Sequence, residues 1–296
     1  MTAQPKPNFT AWFVMQGMIA AMRHPDFLDA GNETTLALYQ PLSNAASKTR
    51  HISRIIHSLP YGWQYKIGDM VTNRGRMRHF YFRKKEIEKQ VRALLGGETI
   101  KQVIVLGAGL DVLSLRLAPE YGSVKFIEID TEESQNFKIA SLRAGNVDLP
   151  GNVEFIEGDL RNPLSGILAN SQFYDASAKT LWIAEGFFMF IPEESVVRIC
   201  EEVKQLSATG SSLIFTTMSS KKTTPAIAHV MQRLYLHKEK SPFVWAIPPD
   251  KVSLFIKNLG YEVTYCMDGV ALQKNYMGHK FNKKHCFVEA IHIAKT

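Results

Sequence analysis

The stretch VIVLGAGLD, residues 103–111, sets an unbroken apolar run, Val103 to Leu106, directly against a Gly-Ala-Gly turn. Such a run suits a strand buried on both faces of a parallel sheet. Gly107 and Gly109 then open a helix from about Asp111 to Leu117. Glycine at these positions lets the backbone turn sharply and lets a ligand approach the free N–H donors of a helix N-terminus. Taken alone the turn says little, since a GxG after a strand also serves as a tight connection. It departs from the dinucleotide fingerprint GxGxxG, whose third glycine would fall at Val112. A pyrophosphate-bearing cofactor is thereby disfavoured.

Downstream the pattern repeats. A second strand, Val124 to Ile129, ends in FIEID and places Asp130 21 residues beyond Gly109. A carboxylate at about that distance accepts hydrogen bonds from ribose hydroxyls in nucleotide-binding α/β sheets. The competing role for Asp130 is as a cap of the helix that opens with Asp130-Thr131-Glu132-Glu133. A third strand, Val153 to Ile156, precedes Gly158-Asp159-Leu160, and a fourth, Thr180 to Ala184, precedes Glu185-Gly186. A helix over about Pro192 to Leu206 and a fifth strand over Ser212 to Thr217 follow. Strands alternating with helices in this way predict an α/β fold with a parallel sheet and helices on both faces. Four successive strand ends carry Gly or acidic residues, and that edge is where the ligand crevice of an open parallel sheet lies.

The flanks read differently. Helices are expected near Asn8 to Arg23, near Ser43 to Ser58, and from about Arg83 to Leu95, where Gly96-Gly97 stops the last. The apolar segment Phe9 to Met22 suits a helix with one apolar face better than a signal peptide, because Gln16 interrupts it and no small-residue cleavage site follows. At the other end Pro248 to Leu259 reads as a helix. Tyr261 to Met267 and His285 to Ala294 read as antiparallel strands with no helix between them. The expected organisation is one domain over 1–296: an N-terminal helical lid region at 1–97, an α/β core at 98–218, and a lid insertion with the C-terminal strand pair at 219–296.

Composition sets the outer limits. Hydrophobic residues make up 45% and charged residues 21% of the 296, the mix of a soluble globular chain. The net charge of +7 is unevenly spread: residues 1–100 carry 14 basic and 7 acidic side chains, 101–200 carry 8 and 14, and 201–296 carry 13 and 7. That profile excludes a uniformly basic nucleic-acid tail. Cys200, Cys266 and Cys286 form neither a CxxC nor a disulfide framework, which points to a reducing, cytoplasmic compartment. No apolar run approaches the roughly 20 residues of a membrane span. The histidines, with His279, His285 and Cys286 among the candidates, show no zinc spacing, so no metal is expected. Arg74, Arg76, Arg78, Arg83, Lys84 and Lys85, interleaved with aromatics, read as one ligand-binding Arg83 on a helix whose other cations are solvated. Nucleic acid is disfavoured as a partner.

VIVLGAGLD, FIEID, GDL (158–160) and LWIAEGFFMFIP (181–192), preceded by Arg83 in YFRKKEIE (81–88), together resemble the leucine carboxyl methyltransferase family of class I S-adenosylmethionine-dependent methyltransferases. That family also contains bacterial O-methyltransferases. The resemblance implies a Rossmann-like fold: a mostly parallel seven-stranded sheet with an antiparallel C-terminal strand, N-terminal helices and a helical lid. It implies that Arg83 binds the carboxylate of the cofactor's methionine moiety, that Gly107 and Gly109 approach that moiety, and that Asp130 holds the ribose. Asp159 with Leu160 would contact the adenine, Glu185 would lie beside the methionine amino group and the reaction centre, and Lys48 in AASKTR would be a further basic contact to the carboxylate. Val112, Phe190 and Glu88 depart from the family's usual hydroxyl, Tyr and shorter acid.

The charges suit the ligand independently of the resemblance. A sulfonium, an ammonium, a carboxylate and a ribosyl adenine call for acidic groups and one cation, as Asp130, Asp159, Glu185 and Arg83 supply. Methyl transfer demands alignment more than proton transfer. A carboxylate acceptor, with pKa about 4, needs no general base, whereas a phenol near about 10 would benefit from one. The strand ends show no adjacent histidine, so a small-molecule or peptide carboxylate acceptor is expected, with Phe187, Phe188, Met189 and Trp245 as candidates to line its pocket. The alternatives are a nicotinamide-dependent oxidoreductase, disfavoured by Val112, and a catalytically silent nucleotide-binding module.

Overall fold

A computed structural model describes residues 7–27, 29, 31–49, 55, 58–72, 75–219, 243–280 and 289–296. Among the described residues seven strands form one sheet: β1 (Gln102–Leu106), β2 (Lys125–Asp130), β3 (Val153–Glu157), β4 (Thr180–Ala184), β5 (Ser212–Met218), β6 (Glu262–Asp268) and β7 (Glu289–Lys295), in the order β3-β2-β1-β4-β5-β7-β6. The pairs among β1 to β5 are parallel, and β7 runs antiparallel between β5 and β6. The burial of each strand follows its place in that order. β1 and β4, at the centre, are buried at every residue, whereas the edge strand β6 alternates exposed with half-buried positions.

The two-residue period of a strand splits β1 between two cores. Val103 and Val105 face a core shared with Trp12, Leu42, Phe82 and Ile87. Ile104 and Leu106 face the opposite core, with Trp182, Val196, Val252 and Ile256. The first core is roofed by α1 (Phe9–Met22), α2 (Asn32–Thr49), α3 (Tyr61–Thr72) and α4 (Arg76–Leu95). Gly17 makes the α1–α4 crossing close, since a Cβ there would lie 2.8 Å from the Phe80 ring. Helices α5 (Leu113–Leu117), α6 (Glu132–Ala144), α7 (Leu164–Leu168), α8 (Glu193–Gln205) and α9 (Pro249–Asn258) connect or flank the strands, and α10 (Gly269–Met277) lies between β6 and β7.

The differences from the sequence reading have physical causes. The second helix starts at Asn32 rather than Ser43 and runs through Pro41, whose ring packs where a Cβ on Gly145 would sit, 2.4 Å away. The third starts at Arg76, seven residues early. The expected loop between the last two strands contains α10, capped by Asp268, whose Oδ1 accepts from the Ala271 N–H at 2.7 Å. Parts of two expected elements, 50–54 with 56–57 and 285–288, lie outside the described residues, as does most of the expected lid, at 220–242. Among the described residues no helix is long and apolar enough to cross a membrane.

Candidate functional site

The carboxyl ends of β1, β2 and β4 meet at one edge of the sheet, and α4 brings cations to it. Gly107 and Gly109 follow β1 with φ of +67° and +50°, which L side chains adopt at a cost. A Cβ on Gly107 would stand 3.0 Å from the Phe187 ring, and one on Gly109 would stand 3.1 Å from Ala11 of α1. The turn is thus tight on the strand-end side and covered by the first helix.

Asp130 ties this turn to β2. Its Oδ2 accepts from the Gly109 N–H and its Oδ1 from the Thr131 N–H, each at 2.7 Å. Thr131, the N-cap of α6, makes no side-chain cap. The carboxylate therefore bridges two strand ends instead of capping deeper into the helix. The Thr131 hydroxyl also donates to Oδ1, at 3.2 Å. Of the about four acceptor positions of an ionised carboxylate, one on Oδ2 therefore remains for a ribose hydroxyl.

Arg83 is the centre of a buried ion-pair cluster. Its Nε donates to Glu185 Oε1 at 2.8 Å and its Nη1 to Glu289 Oε2 at 2.5 Å. Lys84 Nζ bridges Glu185 Oε2, at 2.9 Å, and Asp111 Oδ2, at 2.8 Å. His79 Nε2 lies 3.0 Å from Glu289 Oε2. Burial alone would raise the Glu289 carboxyl, but Arg83 and His79 take it down to about 2. Burial likewise opposes the charge on Arg83, and the two facing glutamates more than offset it. Lys84 is held above its ordinary value in the same way by Asp111 and Glu185. Burial first, then Asp111 and Glu185, push the Tyr39 hydroxyl up, and burial lowers His79.

Asp159 chelates Arg161 within its own loop at 2.5 to 2.9 Å, and the Leu160 carbonyl accepts from Arg198 at 2.6 Å. Lys48 is exposed in the last turn of α2. Phe188 and Met189 are buried, Phe188 against Phe215 and Trp245, and Trp245 donates its indole N–H to Glu193 at 3.0 Å. Phe187 is half-buried beside Gly107. Glu88 spends its extra methylene on an ion pair with Arg116.

The solvated reading of Arg83's neighbours on α4 is corrected for two of them: Arg76 is buried and the Lys84 side chain is 15% exposed. Five residues of the cluster had no role in the sequence reading: Tyr39, His79, Lys84, Asp111 and Glu289. Asp111 stood in the quoted motif itself. Glu289 opens the antiparallel strand β7, opposite Met218, so the reversed chain direction delivers its first residue to the same edge as the parallel strand ends.

The family model of leucine carboxyl methyltransferase matches residues 37–204, more than half of the chain. The chain belongs to the leucine carboxyl methyltransferase family. Two relatives bear the name "Putative S-adenosyl-L-methionine-dependent methyltransferase". The one from Mycolicibacterium vanbaalenii is 38% identical over 118 residues, 40% of this chain and 37% of that protein. The one from Frankia alni is 34% identical over 122 residues, 41% of each chain. The matched stretch thus spans about two fifths of these curated relatives. Among solved structures, a "putative methyltransferase" from Thermobifida fusca superposes with a TM-score of 0.62 at 15% identity, over 88% of this chain and 94% of its own. A DUF574 family protein from Streptomyces avermitilis superposes with the same score at 13% identity, over 82% and 94%. At those identities the likeness is one of fold, the class I methyltransferase fold.

Proposed function

We propose that this chain is an S-adenosylmethionine-dependent O-methyltransferase whose acceptor is a carboxylate on a small molecule or a peptide C-terminus. The observation that carries the reading is the convergence of Arg83, Glu185, Gly107, Gly109 and Asp130 on one sheet edge in a chain of this family. The residues present suit the ligand. The two glycines turn the backbone tightly at the strand end, Asp130 keeps an acceptor position on Oδ2 for a ribose hydroxyl, and Arg83 has Nη2 beyond the two nitrogens that its glutamates engage.

When bound, S-adenosylmethionine supplies a methyl carbon made electrophilic by a sulfonium. The chain's own residues then hold and orient: Arg83 and Lys84 are fixed by Glu185, Glu289 and Asp111, so their charges are set before any ligand arrives. The cleft beside Glu185 has Met18, Met22 and Tyr39 on its wall, with Lys84, Lys85 and Arg116 among its cations and Glu88 and Asp111 among its carboxylates. An ionised carboxylate acceptor would need positioning there and no deprotonation. His79 and His292 are already hydrogen-bonded, to Glu289 and Thr217, and burial favours their neutral forms.

Transfer of isotopically labelled methyl to a panel of carboxylic acids, peptides and phenols tests the reading. Methyl esters release labelled methanol in mild alkali and aryl ethers do not. Alkali-labile product on a carboxylic acid is expected; alkali-stable label confined to phenols would contradict the carboxylate acceptor.

A further inference from the structure

We infer that Glu289 is a positioning residue for Arg83, and that it makes the site selective for ligands carrying the amino-acid end of the cofactor. The inference rests on the cofactor reading above. A guanidinium is planar, with five N–H bonds in fixed directions. Two acceptors on different nitrogens therefore fix its plane. In this chain Glu185 takes Nε and Glu289 takes Nη1, from β4 and β7 on either side of β5. The Phe80 ring lies 5.4 Å from the guanidinium carbon. Nη2 is left between the two pinned nitrogens and lies 3.7 Å from where a Cβ on Gly186 would be. It therefore reaches the turn after β4, within the crevice edge, where a ligand carboxylate would meet it.

Glu289 is itself held. It is 2% exposed, and neutral His79, with its proton on Nε2, donates to the same Oε2 that accepts from Arg83. Arg76, also buried, contributes a further positive charge facing this carboxylate. Without Glu289 the Nη1 end of Arg83 would lose its acceptor in a buried setting, and the guanidinium could rotate about its bond to Glu185. The loss falls on the contact to the ligand carboxylate, while the ribose contact at Asp130, on β2, is untouched.

The test compares two probes by calorimetric titration: S-adenosylhomocysteine, which carries the amino-acid end, and methylthioadenosine, which lacks it. Glu289→Gln keeps the shape and removes the charge. It leaves a neutral amide oxygen as the acceptor for Nη1, so it should weaken S-adenosylhomocysteine roughly 10-fold, the difference between a hydrogen bond to a charged and to a neutral group, and leave methylthioadenosine unchanged. Glu289→Asp, which keeps the charge but withdraws the acceptor from Nη1, should show the same selectivity. A purely structural role would weaken both probes together, and that result, or equal binding of S-adenosylhomocysteine to variant and wild type, overturns the assignment. If the wild-type chain bound neither probe, the cofactor reading would fall, and this inference with it.

Discussion

His292 sits within β7 with its ring 5.0 Å from that of Phe215 and its Nε2 2.9 Å from the Thr217 hydroxyl. Burial lowers its pKa to about 4. The unfolded chain, with an ordinary value of about 6.5, binds this proton first as pH falls. Stability from this group is therefore complete above about pH 6.5 and lost between there and about 4, on the order of 3 kcal/mol. Denaturant titrations at pH 7 and pH 4.5 should show a smaller drop in His292→Gln than in wild type; equal drops would place the acid sensitivity elsewhere. At this same scale the sequence exposes chemistry next to a strand and conceals chemistry across one. Gly107, Asp130 and Glu185 each follow an apolar run, so their edge could be read directly. Lys84 could not, because a lysine in a basic cluster gives no sign of the carboxylates 27 and 101 residues away that bury it. Glu289 is 206 residues from Arg83, and only the antiparallel pairing of β7 brings them together.

The GxG turn is the element on which the crevice depends. Gly109→Ala would place a Cβ at φ +50° and 3.1 Å from Ala11. A left-handed residue with a side chain costs about 1–2 kcal/mol, so a loss of at least that size in denaturant unfolding is expected, together with displacement of α1. A variant as stable as wild type would show that the turn relaxes to another conformation. Elements with strong period or a clear stop were legible: β1, β2, β4 and β5, the end of α4 at Gly96, and α1 within one residue at each end. Elements decided by tertiary contact were not. Pro41 reads as a breaker, yet α2 continues through it because the ring packs against the end of α6 at Gly145, which offsets the missing N–H. The short helices α7 and α10 have too few turns for periodicity to register, and α3 lies in a segment rich in Gly and polar residues.

Across the whole molecule, the uneven charge of the sequence becomes contact. The basic first third supplies Arg83 and Lys84, the acidic middle third supplies Asp111 and Glu185, and the last third supplies Glu289. The three segments are joined at the one edge where the parallel strands end, so folding and the assembly of the site are the same event. The central claim is that this edge holds S-adenosylmethionine. Calorimetric titration of the wild-type chain with S-adenosylhomocysteine, beside Asp130→Ala and Arg83→Ala, tests it most directly. Saturable binding by wild type, weakened roughly tenfold or more by each substitution, is the predicted result. No binding by the wild type at near-millimolar ligand, or binding that both substitutions leave unchanged, would contradict it.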